Sequence, residues 1–87
     1  MQRISRFETQ LNDLRAIRKL RALVANLLLQ VQFLDADIKD EEQRMGIFDA
    51  TDVAYPLLAR NLRARRDNLL ATIRVLEGQL PQTDMVA

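Results

Sequence analysis

Three carboxylates come nearest to chemistry by type and spacing. Asp37, Asp40 and Glu41 share one face of any helix that carries them, and a carboxylate pair can hold a cation or do acid/base work. Their surroundings do not support either use. The 87 residues contain no His, the commonest general base and metal ligand, and no Cys. There is no Gly-rich phosphate-binding pattern, and no Ser or Thr stands beside a plausible base. The carboxylates therefore read as a solvated helix face. No catalytic, cofactor-binding or metal-ligating residue is assigned, and the chain reads as a protein that binds rather than an enzyme.

The second set of chemically expressive residues is basic. Arg3, Arg6, Arg15, Arg18, Lys19 and Arg21 against Glu8 and Asp13 give residues 1–24 a local net charge of +4. Arg60, Arg63, Arg65, Arg66 and Arg74 against Asp67 give residues 60–74 the same value. Between them, residues 35–52 carry −5, from Asp35, Asp37, Asp40, Glu41, Glu42, Asp49 and Asp52 against Lys39 and Arg44. Two readings stay open. The charges are flanking pairs that orient two helices, with Arg60 and Arg63 near Asp35 and Asp37. Alternatively they make a dipolar rod whose basic end steers toward an acidic surface. The Arg clusters lack interleaved aromatics and any helix-turn-helix pattern, so nucleic acid is the third-ranked partner.

The elements that position these charges follow from apolar spacing. Ile17, Leu20, Val24, Leu27, Val31, Leu34, Ile38 and Met45 mark a 3-4 heptad seam, with Glu41 at one of its steps. Ile4, Phe7, Leu11 and Leu14 continue it upstream, with one slip between Leu14 and Ile17 that acts as a stammer. The spacing predicts a first helix over about 3–45. Gly46 suits the position past its end, where positive φ costs glycine little. Asp49, Thr51 and Asp52 offer caps for a second helix over about 52–80, loose or kinked at Pro56. Tyr55, Leu58, Leu62, Leu69, Ile73, Leu76 and Leu80 form its seam, which Arg65 interrupts. Gly78 and Pro81 end it, and 81–87 read as a frayed tail. Ile47, Phe48, Val53 and Tyr55 are either a mini-core closing the turn or an exposed docking knob. The fold class is all-α: a single-domain, long antiparallel two-helix coiled-coil hairpin, with dimerisation into a four-helix bundle as an option.

Unequal helix lengths have a consequence. Ile4, Phe7, Leu11 and Leu14 lie on an overhang that the second helix does not reach, beside Arg15, Arg18 and Arg21. A bare seam of large apolar groups reads as a partner surface, unless the overhang is disordered or the tail covers it through Met85 and Val86. Leu23, Leu28 and Leu29 widen the apolar stripe, and a lone hairpin this small is marginal, so a second copy is another expected occupant. Arg65 and Arg66 complete the candidate partner residues, or else form a charged flank across the hairpin. The most apolar run, Ala22 to Leu34, is interrupted by Asn26, Gln30 and Gln32 and is too short to span a bilayer. With no signal-peptide pattern either, membrane insertion is not expected, and the chain reads as soluble and cytoplasmic.

One stretch carries a family resemblance. Its residues are Glu42, Arg44, Gly46-Ile47, Asp49, Ala54-Tyr55-Pro56, Ala59, then Arg65-Arg66-Asp67-Asn68-Leu69 with Ile73, Leu76 and Leu80. From Glu41 to Leu80 the chain resembles small alphaproteobacterial proteins of the FliJ group of flagellar export proteins. The resemblance implies a cytoplasmic, antiparallel coiled coil, peripheral to the membrane-embedded type III export apparatus. It also implies binding to the hexameric export ATPase and to the export gate, in the manner of the central stalk of a rotary ATPase. The corresponding open end here bears the uncovered seam and the Arg-rich first helix.

Overall fold

A computed structural model of the chain describes residues 6–81. Two helices account for it: α1, Arg6–Met45, and α2, Leu57–Glu77. At 1.5 Å per residue they are about 60 Å and about 31 Å long. Contacts run in opposite order along them. Arg63 meets Glu42 near the turn, Arg66 meets Asp35, and Ile73 packs with Val31 and Val24. The fold is therefore an antiparallel α-helical hairpin. α1 is continuous through the stammer at Leu14–Ile17.

The heptad pattern places the core. Val24, Val31 and Ile38, seven residues apart, are the buried apolar positions of α1, while Ile17, Leu20, Leu27 and Leu34 are half-buried. Ile73 joins Val24 and Val31, with Leu27, Leu69, Leu70 and Leu76 packed around them. The pattern departs from expectation toward the turn. Met45 is 47% exposed, and the buried position after Ile38 is Glu42. On α2, Leu58 is 54% exposed and Ala59 is fully buried. The start of α2 accounts for this phase change.

α2 opens at Leu57 rather than near Asp52, because Pro56 stands at its N-cap with φ −58° and ψ 132°. A proline there lacks only a donor that the helix would leave unused, and its carbonyl accepts the Arg60 N–H at 3.0 Å. Asp49 and Asp52 cap turns instead of the helix. Asp49 Oδ1 accepts from the Thr51 N–H and hydroxyl at 2.9 and 2.7 Å, and Asp52 Oδ1 accepts from the Ala54 N–H at 2.8 Å. Each is an Asx turn, a local alternative to helix that these side chains favour. The Thr51 donors also hold the exposed Asp49 carboxyl below its ordinary range.

At the other side of the turn, Gly46 donates to the Glu42 carbonyl at 2.8 Å with φ +72°, closing α1 in the left-handed conformation. A Cβ at Gly46 would meet nothing within 4 Å. The requirement for glycine is thus one of backbone conformation alone. We expect Gly46→Ala to lower the unfolding free energy by about 1–2 kcal/mol, the cost of left-handed backbone for an L side chain, measurable by urea denaturation. Gly46→Asn should recover part of it.

Candidate partner interface and the polar lock beneath the turn

The hairpin is locked at its closed end by side chains from three segments. The Tyr55 hydroxyl donates to Glu42 Oε2 at 2.6 Å. Arg63 donates through Nε to the Tyr55 hydroxyl at 2.9 Å and through Nη2 to the same Glu42 oxygen at 3.4 Å. Tyr55 is 4% exposed and Glu42 8%. The backbone positions the ring: a residue before proline is pushed into extended geometry, and the turn at Asp52–Tyr55 swings Tyr55 back over α1. The guanidinium carbons of Arg60 and Arg63 lie 5.6 and 5.7 Å from the ring centroid, within cation–π range. No buried side-chain polar atom among the described residues lacks a hydrogen bond.

The expected pairing of Arg60 and Arg63 with Asp35 and Asp37 does not form. Both arginines gather at Tyr55, and Arg66, one turn further along α2, takes Asp35 at 3.0 Å and Asp67 at 3.0 Å. Asp35 is the first cause that raises the Arg66 pKa above its ordinary value. Of the two readings for the Arg65-Arg66 pair, Arg66 thus acts as a cross-hairpin flank. Arg65 is exposed and lines a groove of about 180 Å³ with Gln30, Phe33 and Leu34.

The open end holds most of the remaining candidates. Ile73 packs with Val24 and α2 ends one turn later, so α1 projects about 20 Å beyond the cover. Phe7 is 71% and Leu14 58% exposed, and Leu11 is half-buried. Arg15, Arg18 and Arg21 are exposed, and the last two share a groove of about 180 Å³ with Leu14 and Ile17. Ile4 and most of the proposed tail lie outside the described residues. At the tip, Tyr55 is buried and Ile47 half-buried, whereas Phe48 and Val53 are exposed. The mini-core expected there is therefore only half formed, and the polar lock supplies what it lacks.

Asp37 and Asp40 are exposed, while Glu41 accepts two hydrogen bonds from Arg44 Nη2 at 2.7 and 2.8 Å. Among the described residues, no cluster of three or more carboxylates is arranged to hold a metal ion. Nor is any helix among them long and apolar enough to cross a membrane. No family model, curated protein or solved structure matches the chain.

The lock makes Tyr55 both a structural and a titratable element. Burial first, and then the Glu42 carboxylate, push its pKa above the usual tyrosine value, against an opposing effect of Arg63. The folded value lies above the unfolded one, so its contribution is intact below about pH 10 and lost as pH rises through the folded value. As this is the sole tyrosine, tyrosinate absorbance should rise at higher pH in the folded chain than in denaturant. Tyr55→Phe should cost about 1–3 kcal/mol in urea melts, since it leaves a buried carboxylate with one long contact.

Proposed function

We propose that this chain is a non-enzymatic, cytoplasmic coiled-coil hairpin of the flagellar type III export apparatus that binds the export ATPase, through its open end, and the export gate. The observation that carries the reading is the overhang. Phe7 and Leu14 stand exposed on a helix that α2 does not reach, flanked by Arg15 and Arg18. Contiguous apolar surface rimmed by charge is the usual mark of a protein interface. A projecting helical end is also the shape that can enter a ring, which agrees with the stalk-like role that the sequence resemblance implies. The basic flank would speed encounter with an acidic collar and make it salt-sensitive.

A second reading, a self-associating structural protein, draws on apolar groups away from the overhang. Leu23, Leu28 and Leu29 are 41–49% exposed along the middle of α1. No large side chain among the described residues is fully buried. Leu23 and Leu28 flank the buried seam on opposite sides and Leu29 lies behind it; a second copy packed along one flank would complete a four-helix bundle.

The readings separate by experiment. Phe7→Asp with Leu11→Asp should abolish capture of the export ATPase of the source organism, while helicity by circular dichroism changes little. The ATPase's turnover with and without the wild-type chain reports whether binding is productive. Unchanged capture by the double variant would remove the overhang from the interface. A dimer mass that does not vary with concentration, together with no ATPase binding, would favour the bundle.

A further inference from the structure

The acidic closed end holds a groove that the function proposed above does not use. It lies between the helices, about 290 Å³, with Leu58 and Leu62 of α2 on one side and Asp37, Asp40, Glu41 and Arg44 of α1 on the other. Leu58 is 54% exposed at the groove although it belongs to the apolar pattern of α2. Glu41 and Arg44 neutralise each other, whereas Asp37 and Asp40 are exposed and form no ion pair within the described residues. Such a groove suits an amphipathic helix with an apolar stripe and a basic flank.

We infer that the groove binds the open end of α1 from a second copy of this chain, so that copies associate head to tail. The open end has the required chemistry. Leu14 is 58% exposed, and Arg15 and Arg18 stand three residues apart beside it. Asp37 and Asp40 have the same spacing, so helices laid side by side set the two pairs opposite one another. Charge selects this pairing over that of two open ends. Residues 1–24 carry +4, whereas the closed end, residues 35–67 with the α2 arginines included, carries −2; open end on open end sets like charges together, whereas open end on tip, with Asp37 and Asp40 outside any ion pair there, does not.

The contact joins two different surfaces, the open end of one copy and the groove of the other. Laid antiparallel, the contact is reciprocal and closes at a two-fold dimer; laid parallel, each copy keeps one surface free and copies add in chains or close into a ring. Association would also cover Leu14, Arg15 and Arg18, so self-assembly and any other partner of the open end compete for the same residues.

Sedimentation velocity on the full chain, over a concentration series and at two salt concentrations, tests the inference. The wild type should gain mass with concentration through the micromolar range and lose it in high salt. Asp37→Arg with Asp40→Arg, and separately Arg15→Asp with Arg18→Asp, should each weaken association at least about tenfold, because each sets like charges together. An equimolar mixture of the two variants should associate again, because the reversed tip meets the reversed open end and the native pairs also remain. A wild type that stays monomeric overturns the inference. So does a mixture that fails to associate, or variants that assemble as tightly as the wild type, which is the behaviour of a bundle packed along one flank of the seam, at Leu23 or Leu28.

Discussion

A carboxylate buried beneath the turn governs the rest of this hairpin. Glu42, one residue past the seam step at Glu41, is turned into the face that the hairpin buries, and removing its charge from water is costly unless partners replace the lost hydration. Tyr55 and Arg63 supply those partners from the turn and from α2, each within hydrogen-bond range of Glu42 or of the other. Apolar seams alone permit several sliding registers, since one leucine replaces another at little cost. A buried polar group has no such tolerance, because a shift of one turn would leave Glu42 unpaired. Register fixing is thus the role best suited to this trio. The positions of Arg66 against Asp35 and of Ile73 against Val24 and Val31 follow from it.

Register in turn determines what is left uncovered. With α2 pinned at Leu57 and ending at Glu77, α1 extends past the last packed layer, and Phe7 and Leu14 have no α2 side chain opposite them. Local charge divides along the same axis, basic at the open end and acidic at the closed one. One chain therefore presents an apolar-basic helix at one end and an apolar-acidic groove at the other. The proposed export role uses the first surface. The head-to-tail association inferred here joins the second to the first, and competition for Leu14 and its arginines would link assembly to partner binding.

Much of the architecture was legible in the sequence because it depends on periodicity and breakers. The heptad spacing of Val24, Val31 and Ile38 and the single glycine at residue 46 suffice to read two antiparallel helices, and α1 ends as expected at Met45. The start of α2 was less legible. Asp49 and Asp52 are good helix caps, and their use in Asx turns depends on Pro56, whose fixed φ suits an N-cap as well as a first turn. In place of the expected pairs, Arg63 reaches Glu42, Arg66 takes Asp35, and Arg60 lies over the Tyr55 ring. The polar lock was missed because Glu42 reads as one acid among several; its position four residues after Ile38, on the buried face, was the available signal. Most of the residues that carry the family resemblance toward the tip, among them Glu42, Gly46, Asp49, Tyr55, Pro56 and Ala59, are those the turn and lock require. They bear on how the hairpin is closed more directly than on what its open end binds.

The central claim is that α1 is held at its closed end and left bare at its open end. Residue-resolved hydrogen exchange on the isolated chain, at concentrations low enough to exclude association, tests it most directly. Amides from Val24 to Glu42 should exchange with the same high protection as those of α2, since both open only when the lock and core are lost together. Amides from Phe7 to Leu14 should exchange much faster, through local fraying that leaves the hairpin intact. Protection that is uniform along α1 would contradict the account, because it would mean that the open end is already covered.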